Sequence, residues 1–180
     1  MHPFSSQLIS VLHAERPAPD RFDKLQLYGR FIGDWEAEII AHAPDGARHD
    51  ASGEIHFGWI LEGRAIQDVW MIPRLAERPN APPFPIAGNW YGTTIRVYDP
   101  NIDAWRITWI DPTRNVFQQQ IGRPRGPDIV QEGATESGAR SRWSFTRITP
   151  DSFRWLGEAS AGGDSAWRLM VEVLAQRKAA

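Results

Sequence analysis

From Trp35 almost to the C-terminus, apolar and polar residues alternate with a period of two. That period puts successive side chains on opposite faces of an extended strand, which commits the chain to a sheet with one apolar face. The pattern predicts about ten strands, over 35–43, 51–61, 64–73, 90–98, 104–111, 115–122, 128–133, 140–147, 152–160 and 165–176. Turn chemistry separates them: PDG at 44–46, EG at 62–63, DPN at 99–101, DPT at 111–113, TPD at 149–151 and AGGD at 161–164. Most connections are too short for a crossover, so neighbouring strands should pair antiparallel. A meander of this length removes its two exposed edges by closing on itself. The expected fold is therefore mainly β, a ten-stranded antiparallel up-and-down barrel, with an open two-sheet sandwich as the alternative. The Pro-rich link at 74–89 is expected to lie over one barrel mouth.

Before residue 34 the period is different. Residues 3–15 suit a short helix. A second begins after Asp20, which is placed to cap it, and carries Phe22, Leu25 and Tyr28 at helical spacing. The 180 residues suit one core rather than two. The expected organisation is one domain, with a helical segment over 1–33 and a barrel over 34–177.

Turn length and alternation together assign faces. A two-residue Glu62–Gly63 turn sets Trp59 opposite Ile66, Phe57 opposite Asp68 and Ile55 opposite Trp70, and directly opposed residues share a face. Asp68 and Trp70 then point inward. Between 91 and 111, pairing Val97 with Trp105 buries Ile95 and Val97 and turns Tyr91, Thr93, Trp109 and Asp111 inward. A one-residue slip would instead put Arg96 and Tyr98 on the Trp face. Carried across the DPT turn, the preferred register pairs Trp109 with Phe117 and Ile107 with Gln119. Later, Trp143, Phe145, Phe153, Trp155, Trp167, Leu169, Val171 and Val173 fall on the apolar face.

Composition narrows the function. There are nine Trp, eight Phe and three Tyr, and a barrel wider than eight strands has interior space for one ligand. A net charge of −2 with no basic stripe argues against nucleic acid. No run of 18 apolar residues suggests a membrane helix, and the N-terminus does not read as a signal peptide. The absence of Cys excludes disulfides and thiol chemistry and fits a cytoplasmic protein. The five His show no HxH or HExxH spacing, and no nucleotide-binding or nucleophile-elbow motif occurs. No metal or cofactor is expected. Homodimerisation through an outer barrel face is compatible with the sequence.

The expected ligand-binding residues are Trp59, Trp70, Trp105, Trp109, Trp143 and Trp155, with Thr93 and Gln119 orienting a small hydrophobic or aromatic molecule. Asp68, set between Ile66 and Trp70, is the candidate general acid or base, and Tyr91 the candidate donor beside it. Binding is the leading function. The alternative is a cofactor-free isomerase, cyclase or lyase in which Asp68 moves a proton and Tyr91 or Gln119 stabilises charge on oxygen.

Three stretches, FIGDWEAE, YDPNIDAWRITWID and FTRITPDSFRWLGEASAGGDSAWRL, resemble a bacterial lipocalin-like family of unassigned function over most of residues 30–177. The resemblance implies a calycin-type barrel and carries no catalytic residues. The chain is distantly similar to nitrobindin-like barrels, which bind haem through a His near the C-terminus. His56 is the last His of this sequence, so that ligand is lacking here.

Overall fold

A computed structural model describes residues 7–85, 88–134, 138–161 and 166–179. Residues 3–6 of the expected first helix, 86–87 of the Pro-rich link, 162–164 of the AGGD turn and Ser165 lie outside these. The chain begins with α1 (Gln7–Leu12), β1 (His13–Ala14), a 3-10 turn (Pro19–Arg21) and α2 (Phe22–Gly29). It continues as β2 (Gly33–His42), β3 (Arg48–Ile60), β4 (Ala65–Ile72), β5 (Trp90–Asp99), β6 (Ala104–Asp111) and β7 (Val116–Arg125). It ends with β8 (Asp128–Ala134), β9 (Arg140–Thr146), β10 (Ser152–Ser160) and β11 (Arg168–Arg177).

From β2 to β11 every strand pairs antiparallel with its sequence neighbour. The last pairs with the first, from Val171↔Ala41 to Arg177↔Trp35, and this closes a ten-stranded barrel. All ten expected strands are present. The addition is β1, two residues that extend the ladder of β3 through His13↔Ile60 and Ala14↔Trp59. They end the first helix before residue 15, where sequence periodicity would have continued it.

The second helix seals one end of the barrel. Leu25, Tyr28 and Phe31 are buried, whereas Phe22 is exposed. Asp20 does not cap the helix; both its carboxylate oxygens accept from Arg64 Nη1, at 3.0 and 2.8 Å, which ties the helix start to the β3–β4 turn. Lys24 reaches Asp103 in the β5–β6 turn at 2.7 Å. Beneath the helix the axis is filled by rings. Phe31 lies 4.7 Å from Phe145 and 5.0 Å from Phe153, and Tyr28 meets Trp105 edge-on at 4.9 Å. Offset and edge contacts of this kind add about 0.5–1.5 kcal/mol per pair beyond the area they bury.

Three registers decide what faces the axis. The β3–β4 hairpin follows the sequence expectation, with Phe57↔Asp68 and Ile55↔Trp70. The β5–β6 hairpin takes the other register: Thr94↔Trp109, Arg96↔Ile107 and Tyr98↔Trp105. Thr94, Arg96 and Tyr98 therefore point inward, and Tyr91 and Val97 outward. The shift continues into β7, where Trp109 pairs with Gln118 and Ile107 with Gln120. The second departure is a bulge in β11. Gly157 pairs with Val171 but Glu158 pairs with Leu169, which leaves Met170 as the extra residue. A bulge reverses the inward parity of everything beyond it. Trp167, expected inside, instead stacks under the guanidinium of Arg142 at 4.3 Å and of Arg140 at 5.0 Å.

Candidate functional site

The half of the barrel away from α2 is not filled. A cavity of about 190 Å³ is lined by Trp70, Trp90, Trp109, Trp143 and Trp155, with Thr94, Arg96, Arg114, Gln118, Ser141, Gly157, Glu158, Ala159, Met170 and Val171. The five indoles form one connected cluster, in which Trp90 also meets Trp155 at 6.3 Å. Ring centroids are 5.3 Å apart for Trp70–Trp155, 5.7 Å for Trp155–Trp143, 6.3 Å for Trp143–Trp109, and 6.5 Å for both Trp109–Trp90 and Trp90–Trp70.

Two glycines make room for these rings. A Cβ at Gly92 would lie 2.5 Å from the Trp109 ring and 2.7 Å from the backbone oxygen of Ile110. A Cβ at Gly157 would lie 2.8 Å from the ring of Trp155 on the same strand. Each glycine leaves to an indole the space that a Cβ would occupy. The Met170 bulge adds the sulfur-bearing chain of Met170 to the wall beside Val171.

Below the tryptophans the floor is polar, and almost all of it is mutually satisfied. Asp68 is fully buried. One carboxylate oxygen accepts from the Thr94 backbone N–H at 3.0 Å and the other from Arg96 Nη1 in a short ion pair. Arg96 Nε donates to Gln131 Oε1 at 3.3 Å, and the same oxygen accepts from the Tyr28 hydroxyl at 3.0 Å. Gln131 Nε2 donates to Gln120 Oε1 at 3.4 Å, and Gln120 Nε2 donates to Ser141 Oγ at 3.1 Å. Gln118 Nε2 also donates to Ser141 Oγ. A continuous chain of bonds thus runs from the helix plug to the cavity wall. Burial raises the pKa of the Tyr28 hydroxyl well above its ordinary 10.0, and the Arg96 cation opposes this only in part. The phenol remains a donor.

The structure brings together Trp70, Trp109, Trp143 and Trp155 of the residues the sequence singled out. It separates the others. Trp59 is buried at the sealed end, against Gly29, and Trp105 lies there against Tyr28 and Tyr98. Three placements are corrected. Tyr91 is exposed on the outer face, under the guanidinium of Arg78 at 4.7 Å. Thr93 also faces outward, where its hydroxyl accepts from Gln67 and donates to the Asp68 carbonyl. Gln119 is exposed, and its neighbours Gln118 and Gln120 take the inner positions. All three follow from the one-residue register shift of β5–β7. Asp68 is interior, as its hairpin predicts, but Arg96 and Thr94 stand between it and the cavity wall. Tyr91 and Gln119 lie on the opposite, outer face of the wall.

Sequence reasoning missed Arg96, Thr94, Trp90 and Gln118. The signal for Arg96 was present. A carboxylate assigned to the interior calls for a counter-charge, and the alternative register of 91–111 put Arg96 on the inner face; which strand it would meet is set only by the β4–β5 pairing, Asp68↔Thr94. Asp111, also fully buried, builds its own turn: it accepts from Thr113 N at 3.0 Å, Thr113 Oγ1 at 2.6 Å and Arg114 Nε at 2.7 Å. His56 sits on the outer face, 2.6 Å from Asp34. Among the described residues no three His, Asp or Glu side chains cluster as metal ligands would. No helix there is long and apolar enough to cross a membrane.

No protein-family profile matches this chain, and no curated protein matches its sequence. Solved structures do match in shape. The crystal structure of Rv2717c from M. tuberculosis aligns with a TM-score of 0.62 at 15% identity, covering 91% of this chain and 99% of that one. The S-type phycobiliprotein lyase CPES from Guillardia theta aligns with a TM-score of 0.58 at 10% identity, again covering 91% and 99%. The fold shared with these structures is a closed antiparallel β-barrel. At such identities the likeness extends to the backbone architecture. The content of this barrel, its indoles and its Asp68–Arg96 floor, belongs to its own side chains.

Proposed function

We propose that the protein binds a small, neutral, planar aromatic molecule inside the tryptophan-walled cavity. The observation that carries this reading is the cavity itself, of about 190 Å³, whose wall includes five indoles. A void of similar size lined by apolar groups is enough to take up benzene, so about 190 Å³ suits one or two rings. Indole faces offer such a guest offset and edge contacts on several sides at once.

Charge on the wall supports neutrality. Arg96 is balanced by Asp68, Arg114 by Asp111 and Glu158 by Arg142. A charged guest would shed its water without a buried counter-ion in return. A barrel of this shape described as a phycobiliprotein lyase is compatible with a role centred on the interior.

The test is a titration of the full chain with neutral one- and two-ring aromatics, followed by tryptophan emission. Saturable change is expected, and it should be lost in Ala159→Phe, which places a ring in the cavity from a partly exposed wall position. Unchanged emission throughout the series, with the protein folded, would end the proposal.

A further inference from the structure

Most charged groups on the cavity wall are matched. Arg96 is held by Asp68 and Gln131, and both Glu158 oxygens by Arg142. The unmatched polar atoms lie beside one indole. Thr94 and Gln118 are the direct cross-strand neighbours of Trp109, one on each side, and all three line the cavity. Thr94 is 1% exposed. Its backbone N–H donates to Asp68, but its hydroxyl forms no hydrogen bond with the described residues. Gln118 Nε2 donates to Ser141 Oγ, while Gln118 Oε1 has no donor among the described residues. Ser141 accepts from Gln120 as well, and gives its own hydrogen to none of them. Buried polar groups almost always find a partner.

Resting on the binding reading above, we infer that the guest is a hydroxyarene, whose hydroxyl accepts from Thr94 Oγ1–H and donates to Gln118 Oε1 beside Trp109. The class follows from what the wall leaves open. Thr94 has a hydrogen to give, and Gln118 Oε1 has lone pairs to fill. A carbonyl oxygen would only accept, and would leave the Gln118 oxygen unserved. An aryl N–H would only donate, and would leave the Thr94 hydrogen unserved. A hydroxyl does both. Directly opposed residues stand about 4.5–5.5 Å apart at Cβ, so Thr94 and Gln118 are separated by one indole, a gap that two side chains and one hydroxyl bridge. A phenolic hydroxyl keeps its proton at neutral pH. It therefore asks for no counter-ion from a wall whose Arg96, Arg114 and Glu158 are already paired.

Two probes of nearly equal shape, 2-naphthol and 2-methylnaphthalene, separate this from plain aromatic binding, with 2-acetonaphthone as the carbonyl control. Each is titrated calorimetrically into the full chain. Thr94→Val keeps the shape of the side chain and the backbone N–H that serves Asp68, and removes the hydroxyl. It should weaken 2-naphthol about three- to tenfold, as expected for one neutral hydrogen bond, and leave 2-methylnaphthalene within about twofold. Thr94→Ser retains the hydroxyl and should keep most of the affinity for 2-naphthol. Gln118→Leu, on the other side of Trp109, should also weaken 2-naphthol more than 2-methylnaphthalene. If Thr94→Val and Gln118→Leu each change both probes by the same factor, the hydroxyl inference is overturned and aromatic binding stands. A larger loss for 2-acetonaphthone than for 2-naphthol in Thr94→Val would also overturn it. If neither 2-naphthol nor 2-methylnaphthalene binds the native protein, both readings fall together.

Discussion

At the scale of single residues, the decisive pair is Asp68 with Arg96. Both side chains are essentially excluded from solvent. Removing one partner strands the other as an uncompensated buried charge, which typically costs about 3–5 kcal/mol, whereas replacing both with apolar groups of similar volume is often near neutral. Arg96→Met is therefore expected to lose stability on that scale in urea unfolding, and Asp68→Leu combined with Arg96→Met to recover most of it. A double variant as unstable as the sum of its parts would show that the pair is not coupled. This pair also marks where the sequence became hard to read. Preferring to bury Ile95 and Val97 over Arg96 follows the ordinary ranking of side chains. The ranking fails here because the compensating charge is on the neighbouring strand, and single-strand alternation carries no information about a partner brought in by pairing. Trp70, by contrast, was legible, because the two-residue Glu62–Gly63 turn left its hairpin only one register.

At the scale of elements, α2 and the strand irregularities set the shape of the interior. Tyr28 projects from the helix into the barrel and joins the floor through Gln131. Its raised hydroxyl pKa has a definite consequence. The native state keeps the proton, while the unfolded chain releases it above about pH 10, so the native state binds more protons there. The stabilisation is complete below the unfolded value and is lost as pH rises past it toward the native one. Urea midpoints measured between about pH 9 and 11 should fall, and Tyr28→Phe should flatten that slope. At neutral pH the same variant should cost about 0.5–1.5 kcal/mol for the lost hydrogen bond. An unchanged alkaline slope in Tyr28→Phe would assign the effect elsewhere. The helix was legible from the spacing of Leu25 and Tyr28. The bulge at Met170 was not, since the alternation of Leu169, Val171 and Val173 continues through it unbroken. Only the pairing with β10 reveals the extra residue, and Trp167 was misplaced as a result.

At the scale of the whole molecule, closure was legible and the interior space only partly so. Ten strand segments with short polar turns are readable from local sequence. How much of the axis stays open depends on where the rings settle. Trp59 and Trp105 went to the solid end, and Trp90 joined the hollow one. With α2 and its aromatic layer stopping one end, the interior is a bottle rather than a pipe. On the binding reading proposed above, a guest and its successor would share one neck, so one would have to leave before the next arrives. Displacement by a rival compound should then proceed at the rate of spontaneous escape, however much rival is added. In stopped-flow mixing this appears as a plateau, and a rate that climbs with rival concentration would reveal a second way in.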